Sequence, residues 1–209
     1  MSQQSFLQNS IKGANGFIQK LFHNPYRQVN MSFAKVKILK HLKPGKLYQH
    51  NLFGNKFYFR NPQNFLEGIK EIFIEQCYRQ LLPPQPYILD CGANIGLSVL
   101  YMKRLFPDAV IDAFEPDESN FEVLQMNVQS FGLKNVSLHK EAVWIKDETL
   151  LFRSGGTMGS GIVTEKNNET IEVKAVRLSN YMTRKIDFLK IDIEGAEYSV
   201  LKDIEPQLH

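Results

Sequence analysis

The sequence lacks several features that would set it apart from ordinary globular proteins. None of its apolar runs reaches the roughly 18 residues that a membrane-spanning helix requires, so we expect no transmembrane segment. The first residues lack the charged start and apolar stretch of a secretion signal. Its two cysteines, Cys77 and Cys91, form no CxxC pattern, which argues against a disulfide framework and a zinc site. Together these absences predict a protein of the reducing cytoplasm.

Acidic residues are also missing from one part of the chain. Residues 1–66 contain ten Lys and Arg but no Asp or Glu, whereas residues 67–209 carry all 22 acidic residues and 15 basic ones. A basic arm and an acidic body attract each other, so we expect the arm to dock on the body. Contact of the arm with an anionic membrane surface, a polyanionic acceptor or nucleic acid is the alternative.

The length of 209 residues, 43% of them hydrophobic, suffices for one domain with a sizeable core and an appendage. We predict that residues 1–83 form the appendage, a basic helix/hairpin/helix extension. Apolar residues recur at near-helical spacing in residues 6–22, and residues 46–60 contain two strand-like runs around Gly54-Asn55. Residues 64–82 are predicted as a helix ended by Pro83-Pro84. Its apolar stripe consists of Phe65, Ile69, Ile72, Phe73, Cys77 and Leu81.

Residues 84–209 alternate between strand and helix patterns, which is typical of a Rossmann-like α/β fold. Three strands, "YILD", "AVIDAF" and "NVSLHKEAVW", alternate with the helices "GLSVLYMKRLF" and "DESNFEVLQMNVQSF"; Asp117 is the expected N-cap of the second helix. This order predicts right-handed crossovers and a parallel sheet covered on both faces. The runs "TLLFRS" and "ETIEVKAV" predict an antiparallel excursion around a mobile glycine-rich loop, Gly155–Gly161. A final strand and helix follow in "IDFLKIDIEGAEYSVLKDI".

The stretch "ILDCGANIG" places a carboxylate and two glycines beyond the end of a strand, where such sheets bind ligands. Asp90 ends the strand, and Gly92 and Gly96 leave the turn open to a ligand and to the next helix N-terminus. Glu115 ends the following strand at the spacing at which a carboxylate binds ribose hydroxyls. The dinucleotide pattern G-x-G-x-x-G is incomplete, and Asp90 would repel a pyrophosphate. These four residues together therefore favour a nucleoside ligand with positive charge, such as S-adenosylmethionine.

Three motifs in this part of the chain, "DCGANIG", "AFEP" and "LKIDIEGAE", resemble those of the FkbM-type S-adenosylmethionine-dependent methyltransferases. The resemblance extends over about residues 65–205 and includes the lead-in "EIFIEQCY". It implies a class I methyltransferase fold with S-adenosylmethionine as the cofactor. The usual activity of the family is O-methylation of a hydroxyl group on a sugar or small molecule.

The resemblance also implies roles for individual residues. Four residues of the first turn would hold the methionine end of the cofactor: Asp90, Gly92, Asn94 and Gly96. Glu115 would bind the ribose, with Pro116 shaping the turn beside it, and Glu141 and Ala142 would border the adenine. Two carboxylates after the last strand would face the methyl group and the acceptor: Asp192 and Glu194.

The segment "LKIDIEGAE" is the predicted catalytic part of the site. On a strand, Lys190, Asp192 and Glu194 share one side, so crowded carboxylates could raise one another's pKa and make a base for the hydroxyl proton. Two alternatives are open: these carboxylates hold a divalent metal, or Lys190 pairs with one of them while Glu197 charges the helix start. We expect no resident metal. His139, in the third strand, is expected to be structural.

A methyltransferase sheet normally continues for three more strands after "LKID", whereas this sequence ends in the next helix. Either the chain is truncated, or the basic arm or a second copy, as in a homodimer, covers the open strand edge. The short sheet keeps a second function class open, a non-catalytic cofactor-binding or interaction module. An NAD-dependent oxidoreductase is a weaker alternative because of Asp90 and the incomplete glycine pattern.

Overall fold

The computed structural model describes residues 24–153, 161–163 and 170–208. The helix predicted within residues 6–22 lies outside them, as does all but the last residue of the predicted glycine-rich loop. In these three segments, every helix is too short or too polar to cross a membrane.

The N-terminal extension consists of short helices and a hairpin. Its described elements, in chain order, are a 3-10 helix (Pro25–Val29), α1 (Phe33–Lys40), β1 (Tyr48–Leu52), β2 (Asn55–Phe59), α2 (Pro62–Gly68) and a π-helical segment (Ile69–Ile74). Ser32 caps α1 by accepting the N–H of Lys35, and Asn61 caps α2 in a similar way, as these residue types favour. The strands β1 and β2 pair antiparallel, so the predicted hairpin is confirmed.

The helix predicted over residues 64–82 is shorter than its apolar stripe indicated. It begins at Pro62, and its helical turns end at Ile74. Gln76 then adopts a left-handed φ of 55°, which a right-handed helix cannot contain. Cys77 and Leu81 are exposed, so their assignment to the apolar stripe is wrong.

The extension shares a hydrophobic core with the rest of the protein. Phe59 and Phe65 stack in this core with their ring centroids 4.0 Å apart. Asn127, which is 2% exposed, ties the hairpin to the body: it accepts the N–H of Tyr58 and donates to the carbonyl oxygens of Tyr58 and Ile95. The described part of the basic arm therefore packs on the acidic body.

The described residues that follow the extension build two four-stranded sheets. Its elements are β3 (Tyr87–Cys91), α3 (Leu97–Leu105), β4 (Val110–Phe114), α4 (Glu118–Ser130), β5 (Val136–His139), β6 (Ala142–Trp144), β7 (Glu148–Arg153), β8 (Gly161–Val163), β9 (Thr170–Arg177), a 3-10 helix (Leu178–Tyr181), β10 (Phe188–Ile191), α5 (Glu197–Ile204) and a second 3-10 helix (Glu205–Gln207). The first sheet has the order β10–β3–β4–β5, and all its pairs are parallel. This confirms the Rossmann-like α/β fold, and Asp117 caps α4 as expected.

The second sheet has the order β6–β9–β7–β8, and its antiparallel β7–β9 pair confirms the predicted excursion. The single strand predicted from "NVSLHKEAVW" is wrong, because the chain leaves the first sheet after His139 and enters the second at β6. The two residues between β5 and β6 have partners in different parts of the protein: Lys140 pairs with Glu118 of α4, whereas Glu141 pairs with Lys174 of β9. His139 is thus the last residue of β5 rather than a mid-strand residue.

Strand β10 lies at the edge of the parallel sheet. Among the residues that the structure describes, no strand pairs with its outer side. The helix α5 packs next to it and buries Val200 and Ile204. The open edge expected from the sequence is therefore present in this part of the chain.

Candidate functional site

A cavity of about 310 Å³ opens at the carboxyl ends of β3, β4 and β10, the edge at which open α/β sheets bind ligands. Its walls come from residues 64–78, 92–98, 114–120, 141–152 and 190–194. Nine predicted site residues line it: Gly92, Asn94, Glu115, Pro116, Glu141, Ala142, Lys190, Asp192 and Glu194. The other two, Asp90 and Gly96, belong to the strand and turn that support this lining.

The turn after β3 requires glycine for a close backbone contact. Gly92 has a φ of 84°, which favours glycine over other residues. A Cβ on Gly92 would lie 1.9 Å from the backbone oxygen of Asp192, far inside contact distance. The absence of a side chain thus lets the turn touch the segment after β10, in addition to leaving room for a ligand.

Asp90 is held by the protein itself. Its carboxylate is 3% exposed, accepts a hydrogen bond from Ser98 Oγ at 2.5 Å and lies 3.1 Å from Lys190 Nζ. The Lys190 ammonium also donates to the carbonyl oxygen of Gly92 at 2.7 Å. The sequence predicts that Asp90 repels a pyrophosphate. Because Lys190 neutralises Asp90, this repulsion is weak. Asp90 braces the turn, and its contact with a cofactor stays a prediction.

Lys190 is a fixed cation rather than a base. Burial acts to lower its pKa, but the carboxylates around it, Asp90 foremost, outweigh burial and raise the pKa of Lys190 above its usual value. Strand β10 ends at Ile191, so strand alternation does not place Asp192 and Glu194 beside Lys190 as predicted, although all three residues line the cavity. The Lys190 ammonium lies 3.7 Å from Asp192 Oδ2, farther than from Asp90.

The segment after β10 is a turn that exposes two carboxylates, those of Asp192 and Glu194. Glu194 has a φ of 56°, so strand periodicity no longer sets the direction of its side chain. Glu197 holds the turn by accepting the N–H of Ile193 at 2.9 Å and that of Gly195 at 2.8 Å. Partial burial, with Asp192 and Glu197 nearby, raises the pKa of Glu194, which is the direction that a base at neutral pH requires.

Glu115 presents a buried carboxylate at the end of β4. Its side chain is 6% exposed, and its two oxygens accept one backbone N–H each, from Asn94 at 2.9 Å and from Asp117 at 2.9 Å. Each oxygen retains a second lone pair that can accept a hydroxyl. Burial raises the pKa of Glu115 to about 7, although the two N–H donors act to lower it.

We expect the pH dependence of stability to report on Glu115. Its pKa in the folded protein is raised from the ordinary 4.5 to about 7, so the folded state binds this proton more tightly than the unfolded chain. The resulting stabilisation is complete below about pH 4.5 and is lost as the pH rises towards 7, by up to about 1.4 kcal/mol per pH unit. Urea unfolding at several pH values in this window measures the effect. The free energy of unfolding of wild type should fall relative to that of Glu115→Gln, and a constant difference would contradict the assignment.

The wall at which adenine is predicted to lie combines apolar and acidic groups. Glu141 is held there by the hydroxyl of Tyr181, which donates to it at 3.2 Å. Ala142, Phe114 and Phe152 are buried and line the same cavity. Apolar and aromatic side chains with a few polar groups are the usual lining of a nucleobase pocket.

Sequence reasoning missed the wall that the extension supplies. Asn64, Glu67 and Glu71 line the cavity, and none of them is among the predicted site residues. One signal was available, because Glu67 and Glu71 are four residues apart in a helical pattern and so share one helix face. The direction of that face depends on how the extension packs, which local patterns do not specify.

The lining of the cavity is strongly acidic. Of the described residues that line it, seven are acidic and one is basic: Glu67, Glu71, Glu115, Asp117, Glu141, Asp192, Glu194 and Lys190. Lys190 is paired with Asp90 and Glu141 with Lys174, so the remaining carboxylates leave the cavity negative, which favours a cationic ligand and disfavours a pyrophosphate. Within the described segments, no three His, Cys, Asp or Glu side chains are grouped so as to hold a metal ion.

Comparisons with known proteins relate the chain to methyltransferases. Residues 90–207 match the model of the methyltransferase FkbM domain. The methyltransferase sdnD of Sordaria araneosa is 32% identical over 176 residues, which cover 66% of this chain and 68% of that protein. The 31-O-demethyl-FK506 methyltransferase FkbM of Streptomyces tacrolimicus is 27% identical over 174 residues, covering 65% and 67%. The chain spans about two thirds of the length of the curated relatives it matches.

A solved structure gives a more distant comparison. The methyltransferase FkbM from Methylobacillus flagellatus KT is similar with a TM-score of 0.46 and 18% sequence identity. The match covers 61% of this chain and 31% of that chain.

Proposed function

Because the chain belongs to the FkbM methyltransferase family, we propose that it is an S-adenosylmethionine-dependent methyltransferase that methylates a hydroxyl group of a sugar or another small molecule. One observation carries the proposal: the Gly92 turn, Glu115 and residues 192–194 meet in one acidic cavity. A relative named for 31-O-demethyl-FK506 supports a hydroxyl acceptor.

The cavity fits S-adenosylmethionine in charge and in hydrogen-bonding capacity. The cofactor carries a sulfonium and an ammonium group, and the lining is acidic. Its ribose has two hydroxyls, and each oxygen of Glu115 has a lone pair left after accepting one backbone N–H. We assign the ribose to Glu115 and the methionine end to the Gly92–Gly96 turn, which Asp90 supports. We assign the adenine to the wall that contains Glu141 and Ala142.

When bound, the cofactor supplies a methyl group attached to a sulfonium sulfur, and the resulting thioether is a good leaving group. The chain itself has to align the acceptor with that methyl group and to accept the hydroxyl proton. We assign proton acceptance to Glu194, whose pKa is raised by its partial burial and by neighbouring carboxylates. We assign orientation of the acceptor to Asp192. Lys190 stays protonated and holds Asp90 and the Gly92 carbonyl in place.

The acidic lining disfavours the alternative of an NAD-dependent oxidoreductase, since NAD carries a pyrophosphate. A non-catalytic module would bind the cofactor without transferring its methyl group, so only turnover distinguishes it. A cytoplasmic location and a homodimer that covers the β10 edge stay predictions from the sequence.

Calorimetric titration with S-adenosylhomocysteine tests the cofactor assignment. At a pH above the pKa of Glu115, which is about 7, we expect wild type to bind S-adenosylhomocysteine and not NADH. Glu115→Ala should bind it at least about tenfold more weakly, since a hydrogen bond to a charged group contributes about 1.5–3 kcal/mol. Glu118→Ala is the matched control, because Glu118 is exposed, pairs with Lys140 and is not part of the lining. Equal affinities of wild type and Glu115→Ala would contradict the assignment.

Transfer of a labelled methyl group from S-adenosylmethionine to fractions of sugars and hydroxylated metabolites tests the catalytic assignment. We expect a labelled product from wild type and none from Glu194→Gln, with the affinity for S-adenosylhomocysteine preserved in that variant. Cofactor binding by wild type without a labelled product in any fraction would favour the non-catalytic module.

A further inference from the structure

The outer surface of α1 and of the loop after it combines lysines with exposed apolar side chains. Phe33, Ile38 and Leu47 are 49%, 57% and 44% exposed. Five lysines lie among them in the chain: Lys35, Lys37, Lys40, Lys43 and Lys46. We call these eight residues the basic patch.

Helix α1 has apolar residues both in the core and at the surface. Val36 and Leu39 are 5% and 2% exposed and belong to the hydrophobic core. Phe33, Lys37 and Ile38 of the same helix are exposed. Packing of α1 on the body uses the buried pair, whereas Phe33 and Ile38 leave about half of their surface exposed.

The basic patch lies in a part of the sequence that has no acidic residue. Residues 24–66 contain eight basic residues and no acidic one. In the described part of the chain, none of the five patch lysines forms an ion pair, whereas Arg60 of the same arm pairs with Glu122. The arm is therefore attracted to the body through Arg60, and the positive charge of the basic patch is available to a partner outside the chain.

We propose that the basic patch binds the surface of an anionic lipid bilayer, with Phe33 and Ile38 entering the interface and the lysines beside the headgroups. Apolar residues flanked by lysines on an exposed helix are the composition of helices that lie on membranes. Each lysine near an anionic bilayer contributes about fivefold to affinity. A second copy of the chain fits the patch poorly, because two basic patches repel each other. Residues 1–23 are also a poor partner for the basic patch in charge, since they carry Lys12 and Lys20 and no acidic residue.

The basic patch lies next to the helix that walls the cavity. Gln63 of α2 donates to the carbonyl oxygens of Lys40 and Leu42, and the adjacent Asn64 lines the cavity. Binding through the patch therefore holds the cavity close to the bilayer. The proposal does not depend on the function proposed above, since the patch and the cavity share no residue.

Co-sedimentation of the full chain with vesicles tests the proposal. We expect binding to vesicles of phosphatidylcholine mixed with phosphatidylserine, no binding to phosphatidylcholine alone, and release by salt. Lys37→Glu/Lys40→Glu should lose at least about tenfold in affinity. Phe33→Ser/Ile38→Ser, which leaves the charge unchanged, should also bind more weakly. Lys134→Glu/Lys202→Glu is the matched control, because it changes two exposed lysines of the body by the same charge and should bind as wild type does.

Three results would overturn the proposal. The first is no sedimentation of wild type with the mixed vesicles. The second is an equal loss of binding in the patch variant and in the matched control, which would show an effect of net charge alone. The third is unchanged vesicle binding by Phe33→Ser/Ile38→Ser together with equally tight binding of polyglutamate, which would indicate an acidic protein partner. Urea unfolding of each variant shows that the fold is intact.

Discussion

Replacing Gly92 by alanine is expected to abolish measurable binding of S-adenosylhomocysteine. The alanine Cβ would lie 1.9 Å from the backbone oxygen and 2.9 Å from the carbonyl carbon of Asp192, and backbone atoms cannot rotate away. The φ of 84° adds strain of about 1–3 kcal/mol. The turn then has to move away from the segment after β10, which separates the cofactor-binding turn from the predicted catalytic carboxylates. We expect calorimetry to show a loss of at least about a hundredfold in affinity.

Gly45→Ala is the matched control for backbone strain. Gly45 has a φ of 99°, but nothing lies within 4 Å of the position of an added Cβ. This variant should lower the free energy of unfolding by about 1–3 kcal/mol and leave the affinity for S-adenosylhomocysteine unchanged. Wild-type affinity in Gly92→Ala, or equal losses in both variants, would show that the contact with Asp192 does not shape the site.

A second large effect is expected for Lys190→Met, which leaves the Asp90 carboxylate charged and buried. The hydroxyl of Ser98 still donates to Asp90, but the ammonium at 3.1 Å is removed. Removing one partner of a buried ion pair destabilises a protein by about 3–5 kcal/mol, because the remaining charge has lost its compensation. Urea unfolding should show a loss of this size for Lys190→Met.

The double variant Asp90→Asn/Lys190→Met should recover much of that loss, because a neutral amide replaces the uncompensated charge. Lys140→Met is the matched control, since Lys140 and its partner Glu118 are 49% and 63% exposed. Exposed pairs contribute at most about 1 kcal/mol. A similarly small loss for Lys190→Met would mean that the buried pair does not stabilise the sheet.

Features that depend on neighbouring residues were predictable from the sequence. The apolar run that ends at Asp90 and the turn that contains Gly92 specify a strand and a turn locally, as Gly54-Asn55 does for the hairpin. Parallel topology then brings strand ends to one edge of the sheet. This is why Glu115 and Gly92 line one cavity although they come from different strands.

The partner of Lys190 was not predictable in this way. Lys190 lies opposite Asp90 in the register of β10 against β3, and the two residues are far apart in the chain. Periodicity along one strand only relates Lys190 to Asp192 and Glu194. It also gives no sign that β10 ends at Ile191, because the turn that follows is held by Glu197 through backbone hydrogen bonds.

The wall from the extension was missed for a related reason. Gly68 packs so closely on α3 that an added Cβ would lie 2.7 Å from Leu97 Cδ1. This contact between distant segments turns Glu67 and Glu71 towards the strand ends. The strand-like pattern of "NVSLHKEAVW" likewise continues across the chain's passage from one sheet to the other, because only Lys140 and Glu141 separate β5 from β6.

A crystal structure with S-adenosylhomocysteine tests the claim that one acidic cavity binds S-adenosylmethionine with its ribose at Glu115. We expect the ribose hydroxyls within hydrogen-bond distance of the Glu115 carboxylate, the adenine against Ala142 and the sulfur facing residues 192–194. A ligand bound outside the cavity, or bound inside it with its ribose turned away from Glu115, would contradict the claim.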